Sequence, residues 1–361
     1  MQTTENGAPA AHIAAVGVAA PSFTLDQQLA GLLVEKHYKD ELRPRSMEVA
    51  QKVFAHPSIR TRRISVDSIA ELEGLKGEDQ DKRMDRFTRW AVELSSNAVM
   101  QALERAELHP RDVDTLIINT CTGYLCPGIA TYVLERLGLR PETRVFDLVG
   151  SGCGGAIPNL QLAERFVRSN PDEIVVSVSV EICSATFEMG NDISLILSNA
   201  IFGDGAAAAV VWGRAKGMRL LHTAAHYQPK YRDDVRYVYR KGRLHNRLSP
   251  ALPKIIGEIV PPIISGLLER EGLSAADVPH WAVHPGGAKM VEEIKEKLGL
   301  SEQQLATTRN ILEQYGNMSS PTVLFELERI LGNGIRAGEH CLMVAYGAGL
   351  SVHAYLGRIA V

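Results

Sequence analysis

Nowhere in the 361-residue chain do eighteen apolar residues occur in a row, which excludes a membrane-spanning helix of the usual length. The first stretch, MQTTENGAPAAHIAAVGVAAPSF, has no Lys or Arg ahead of its short apolar run and so lacks the basic head of a secretory leader. Residues 1–11 read as a tail before a first strand, and a cytoplasmic protein without membrane insertion is expected. Charge of one sign is not concentrated either. Lys+Arg 39 against Asp+Glu 42 leave a net charge of −3, with the basic residues dispersed, so nucleic acid is not implied as a partner. Cysteine is sparse and unpaired: Cys121, Cys126, Cys153, Cys183 and Cys341 are odd in number and form no C-x-x-C pair. That argues against a disulfide framework and a structural zinc site, and for free thiols in a reducing compartment.

What is present is enough apolar sequence, 45%, for one large core or two packed halves. Strand-like runs (TLIINT, EIVVSVSVE, AAAAVVW, HWAVH, CLMVAYG) alternate with helical patterns (ELSSNAVMQALERA, NLQLAERFVRS, PTVLFELERIL), an α/β layout with helices on sheets. Residues 225–255, polar, basic and marked by proline, read as a loop-rich excursion.

The chain also resembles itself. Leu103-Glu104-Arg105 and Asp112-Val113 recur as Leu268-Glu269-Arg270 and Asp277-Val278, an offset of 165. Leu160 with Glu164-Arg165 recurs as Leu324 with Glu328-Arg329, an offset of 164, which sets Cys153 opposite Asn317. Two related halves, 12–220 and 221–361, are expected to pack about a pseudo-twofold axis. Cys153 and Asn317 then converge near that axis, and His284, ending the strand HWAVH, lies on the same rim.

The glycines of VGSGCGGA allow two readings. Gly150, Gly152 and Gly155 satisfy G-x-G-x-x-G, and Glu181 ends the next strand. However, Glu181 lies 26 residues after Gly155 instead of about 20, Pro158 falls in the first helical turns, and a dinucleotide site leaves His284, Asn317 and the duplication unused. In the other reading the helix start and an imidazolium at His284 favour a Cys153 thiolate. The amide N–H of Asn317 and the N–H of His284 then hold a thioester oxygen as it becomes an oxyanion, a site suited to Claisen chemistry.

Bland alternatives exist for each residue. Cys153 alone would be an inert buried thiol, Asn317 a helix N-cap, Phe202 core, Asp204 a turn residue, and the arginines near residue 60 a solvated face. The remaining ten histidines read as structural.

Four blocks, GSGCGGA around Cys153, NAIFGDGAAAAVV around Phe202, VHPGG around His284 and EQYGNMSSPTVLFELE around Asn317, together resemble the type III polyketide synthases, the chalcone and stilbene synthase family. Their order and spacing match over nearly the whole chain after residue 12. The resemblance implies a thiolase-like α/β fold, two pseudo-duplicated βαβαβαββ halves packed as five αβαβα layers, in a free-standing homodimer. It implies an acyltransferase that loads an acyl-CoA starter on Cys153, extends it with malonyl-CoA through enolates held by His284 and Asn317, and cyclises the product. CoA thioesters are substrates, with no cofactor, metal or carrier protein.

Phe202 is then the gatekeeper, Cys121, Thr122, Cys183, Thr186, Asn246 and Ser319 are cavity walls, Gly286 and Gly287 adjoin the substrate, and Arg60 and Arg63 meet CoA phosphates. Cys121 and Cys183 stand where plant chalcone synthases have threonines, and a second gatekeeper Phe is replaced by Asn246 or Leu244. A fatty-acyl or other non-coumaroyl starter is therefore expected, giving a pyrone or a resorcinol- or phloroglucinol-type ring. Alternatives are a single-condensation ketoacyl synthase, an HMG-CoA-synthase-like enzyme, or a non-catalytic scaffold, though the last should have lost one of the three residues.

Overall fold

A computed structural model describes residues 10–360; most of the expected N-terminal tail lies outside them. The first half runs β1 (His12–Ala19), β2 (Thr24–Asp26), α1 (Gln27–Tyr38), α2 (Pro44–Phe54), β3 (Thr61–Arg63), α3 (Ile69–Gly74), α4 (Gln80–Ala106) and β4 (Thr115–Thr120). It continues through α5 (Ile129–Leu137), β5 (Arg144–Val149), α6 (Ala156–Ser169), β6 (Val175–Glu181), α7 (Ile193–Ile201) and β7 (Gly205–Trp212). The second half comprises β8 (Met218–Tyr227), β9 (Val235–Arg240), β10 (Arg243–Leu248), α8 (Leu252–Leu268), β11 (His280–Val283), α9 (Ala288–Leu298), α10 (Ala306–Tyr315), α11 (Thr322–Gly332), β12 (His340–Gly347) and β13 (Ser351–Ile359).

Nine strands follow one another in the order β11-β12-β13-β8-β1-β7-β6-β4-β5. The two halves of this sheet meet where His12 pairs with Arg219 and Ile13 with Met218, and the Leu220 N–H donates to the Ala11 carbonyl (2.9 Å). Either side of that seam the pairing repeats: β1 is antiparallel to β7 as β8 is to β13, and β4 is parallel to β6 as β11 is to β12. The equivalence stops at β5, which pairs with β4 and has no counterpart beside β11.

Layering follows from which faces are apolar. Helix α6 turns Ile157, Leu160, Ala163 and Val167 inward, at helical spacing, and α11 does the same with Val323, Leu324, Leu327 and Ile330. These two helices share one core with Val175, Ala207 and Ala209 from one half-sheet and with Cys341, Met343 and Tyr355 from the other. Leu160 and Leu324, the matched pair of the repeat, are both fully buried there. Helices α4 and α5 cover the outer face of the first half-sheet and α8 and α9 that of the second. The result is five layers, helices, sheet, helices, sheet, helices. Strands enclosed on both faces have no polar side to show, which is why β7 can read GAAAAVVW and be buried throughout.

Two local features matter for the site. Helices α1 to α3 with β2 and β3 form a satellite cluster around Leu25, Val34, Tyr38, Phe54 and Ile64, packed on Ile196 and Ala200 of α7. Residues 225–255 are not a loop excursion: β8 extends to Tyr227, and β9 and β10 form a six-pair hairpin. Its turn is Lys241-Gly242, both at positive φ (51° and 75°), the backbone that a two-residue hairpin turn requires. The polar composition concealed an alternation of Val, Tyr and Leu with Arg.

Candidate active site

Cys153 lies in a tight turn, Gly152–Gly154, between β5 and α6, and α6 itself begins three residues later at Ala156. The turn between β12 and β13 presses against it. A side chain at Gly347 would lie 2.5 Å from the Gly154 nitrogen and 2.9 Å from that of Cys153, so only glycine fits there. His284 follows the last residue of β11. Its N–H donates to the Val344 carbonyl (2.9 Å), and its carbonyl accepts from the Tyr346 hydroxyl (2.7 Å) and the Gly286 N–H (3.0 Å). The imidazole stands edge-on to the Tyr346 ring at 5.4 Å.

Asn317 arrives on a different segment, held to the chain around Phe202: its N–H donates to the Ile201 carbonyl (2.8 Å), and Gly203 N–H donates to its carbonyl (3.0 Å). It is not an N-cap, since α11 starts at Thr322 after Pro321. Its Oδ1 accepts the Ser319 N–H (2.7 Å), leaving the two Nδ2 donors uncommitted among the described residues. Cys153, His284, Asn317, Phe202 and Gly286 line one pocket, as the repeat required for the first three.

Burial works against the expected thiolate–imidazolium pair. Burial pushes the Cys153 thiol up to about 12, against a smaller lowering by Ser319, whose hydroxyl donates to Sγ at 3.2 Å. Burial also pulls His284 down to about 3. Removal from water disfavours the charged form of each, which favours the neutral thiol and the neutral imidazole on the walls of this pocket.

Behind them lies a carboxylate that the sequence placed at a strand end, where a dinucleotide site would have its ribose-binding acid. Glu181, fully buried, accepts from Cys121 N–H (3.0 Å), the Thr122 hydroxyl (2.9 Å) and the Ser320 hydroxyl (2.8 Å). Ser319, with φ of 62°, holds a conformation uncommon for a residue with a side chain. Its hydroxyl sits 3.7 Å from Cys121 Sγ as well as bonding Cys153.

Phe202 lines a second cavity too, part of it open to solvent. Cys183, Thr186 and Asn246 form its inner wall, and Leu33, Val34, Tyr38 and Phe54 of α1 and α2 its outer one. Phe202 thus stands between the two spaces. Tyr237 of the hairpin reaches Thr186 at 3.4 Å.

Several expected wall and phosphate residues lie elsewhere. Thr122 is committed to Glu181 and to the Ile182 N–H and lines neither space, and Gly287, just before α9, lies outside them. Arg60 is exposed beside Glu313 (3.5 Å). Arg63 donates to the Ser22 carbonyl (3.2 Å) and lies over the Tyr315 ring. Their neighbour Arg62 is the one that lines the second cavity, and it holds the carbonyls of Asn199 (2.7 Å) and Phe202 (2.8 Å). Because RTRR lies on a short strand, alternate side chains point opposite ways, and counting charges does not reveal which enters. Asp204 is likewise no turn residue. It is buried, accepting from Ser65 N–H (2.7 Å), Ser184 N–H (2.9 Å) and the Ser184 hydroxyl (2.6 Å).

Residues 34–235 match the family described as FAE1/Type III polyketide synthase-like protein, and residues 220–359 match the chalcone and stilbene synthases, C-terminal domain. The chain belongs to the type III polyketide synthase family. The synthase is 30% identical over 308 residues to a 3,5-dihydroxyphenylacetyl-CoA synthase of Amycolatopsis balhimycina, covering 84% of this chain and 83% of that one. It is 28% identical over 327 residues to the alpha-pyrone synthesis polyketide synthase-like Pks18 of Mycobacterium tuberculosis, covering 87% and 83%. The crystal structure of 1,3,6,8-tetrahydroxynaphthalene synthase from Streptomyces coelicolor superposes with a TM-score of 0.90 at 25% identity, covering 97% of this chain and 99% of that one. PKS-I of the brown alga Ectocarpus siliculosus gives 0.90 at 25%, covering 99% of each. The synthase is therefore an acyltransferase on the thiolase-like fold, and a single-condensation relative is not favoured. Among the described residues no helix is long and apolar enough to cross a membrane.

Proposed function

We propose that the synthase transfers an acyl group from a CoA thioester to Cys153, extends it by repeated decarboxylative condensation with malonyl-CoA, and closes the chain into a ring. The observation that carries this reading is the convergence of Cys153, His284 and Asn317 on one pocket, with the Asn317 carboxamide turned so that its N–H groups are free. The Cys153 proton passes to the His284 imidazole as sulfur attacks the thioester carbonyl, and the departing CoA sulfur takes it up. Malonyl-CoA then loses CO2, and the enolate oxygen is stabilised by N–H donors of Asn317 and of neutral His284. The enolate carbon attacks the acyl-Cys153 carbonyl and releases the sulfur for the next round. These steps need no metal or cofactor.

Relatives whose names specify a dihydroxyphenylacetyl-CoA, a tetrahydroxynaphthalene and an alpha-pyrone leave the starter open. The apolar space beyond Phe202 supports an aliphatic acyl starter with an alkyl tail, and a pyrone or a resorcinol- or phloroglucinol-type product. Arg60, facing solvent, retains the role of contacting CoA phosphate in this reading, whereas Arg63 is engaged within the fold. The enzyme works in the cytoplasm as a homodimer, a reading supported by the open edge of β5.

Incubation with an acyl-CoA is expected to add the acyl mass to the Cys153 peptide and to leave Cys153→Ala unlabelled. His284→Ala and Asn317→Ala should each slow malonyl-CoA decarboxylation by about 10²–10³. Equal labelling of Cys153→Ala would overturn the nucleophile, and unchanged decarboxylation the enolate site.

A further inference from the structure

Strand β11 ends the nine-strand sheet, with β12 on one side and no strand on the other. In the first half the equivalent strand β4 is covered on that side by β5. An uncovered strand inside the protein would leave its outward N–H groups without partners, a costly condition in the absence of water. Here side chains replace the strand. The Val283 N–H donates to Glu326 Oε2 at 2.7 Å and to Thr308 Oγ1 at 3.3 Å, and the Thr308 hydroxyl donates to the same Glu326 oxygen at 2.5 Å. Both side chains are fully buried, and the next residue is His284.

The placement matters because, apart from the Tyr346 ring that it meets edge-on, the imidazole has no side-chain partner among the described residues to aim it. No carboxylate orients it, and its Nδ1 has no partner among the described residues. Its position is set by the main chain: the Val344 carbonyl and Tyr346 hydroxyl on the β12 side, and Glu326 on the other. Glu326 also lies on α11, the helix that follows the Asn317 segment, so one carboxyl ties the two proposed oxyanion donors to a common frame. Burial raises this carboxyl well above the usual range, which favours the neutral acid at this position.

We propose that Glu326 is a positioning residue for His284: with Thr308 it takes the place of the missing edge strand, and by holding the Val283 N–H it sets how far His284 enters the Cys153 pocket. The inference rests on the decarboxylation role proposed for His284. A displacement of the order of 1 Å at a reacting group lowers turnover by up to about a hundredfold.

The test is malonyl-CoA decarboxylation by full-length Glu326→Leu and Glu326→Gln, with turnover expressed per Cys153 that accepts an acyl label. In Glu326→Leu, kcat should fall about ten- to a hundredfold with KM unchanged, and Glu326→Gln, which keeps an acceptor for the N–H, should stay within about threefold of wild type. A purely structural role would reduce the number of labelled sites without changing turnover at each, and that result overturns the proposal. So does a rise in KM at constant kcat, or a Gln variant as slow as Leu. If Glu326→Leu fails to fold, Thr308→Val carries the same comparison, with a severalfold fall in kcat expected and no fall overturning it. Unchanged decarboxylation in His284→Ala would instead remove the underlying role of His284.

Discussion

Cys153 and His284, the proposed reacting pair, lie where burial favours the neutral form of each. Because the thiol is pushed up and the imidazole down, the thiolate population of the free enzyme is small at neutral pH and grows as pH rises. Alkylation of Cys153 by iodoacetamide should therefore increase steadily from pH 6 to 9.5, close to about tenfold per unit. A plateau beginning below pH 7 would reveal a preformed thiolate–imidazolium pair instead. At this scale the three central residues were legible, since each sits in a glycine- or serine-rich block and the repeat aligns two of them. Glu181 and Glu326 were not. A carboxylate at the end of an apolar strand, or one within VLFELE, reads as a solvated position until the packing shows it buried and surrounded by donors.

Among the elements, the satellite formed by α1 to α3 converts a condensing site into one with a deep apolar annex. Each methylene moved from water into such a space contributes about 0.8 kcal/mol, near fourfold in kcat/KM. Across saturated acyl-CoA starters, kcat/KM should climb by about that factor per added methylene until the tail reaches the mouth, then level off. Val34→Trp, which fills the outer wall, should move the optimum to shorter chains while short starters still label Cys153. A flat series, or malonyl-CoA as the best starter, would assign the annex to something else. The helices themselves were visible as apolar periodicity, but their enclosure of a cavity was not, because no local pattern records which apolar faces meet.

For the whole molecule, one edge is closed and the other open. Side chains seal β11, whereas β5 ends the sheet with Phe146 and Val149 exposed, the latter at 59%. An open edge carrying apolar side chains invites pairing with another copy. In the proposed homodimer, placing a charge there, as in Val149→Lys, should give a monomer in sedimentation analysis, whereas a wild-type monomer at micromolar concentration would rule out that seam.

The sequence by itself determined the α/β layout, the duplication and the choice of Cys153, His284 and Asn317 as the proposed site, three residues that the fold brings to one pocket. These follow from periodicity and repetition along the chain, which a single strand of letters retains. Only the tertiary structure decided that Arg62 and not Arg63 enters the cavity, that the neutral thiol and imidazole are favoured, and that Glu326 occupies the place of a strand. Each depends on burial, which removes water from a group according to what other segments bring to it, and those segments lie tens to hundreds of residues away.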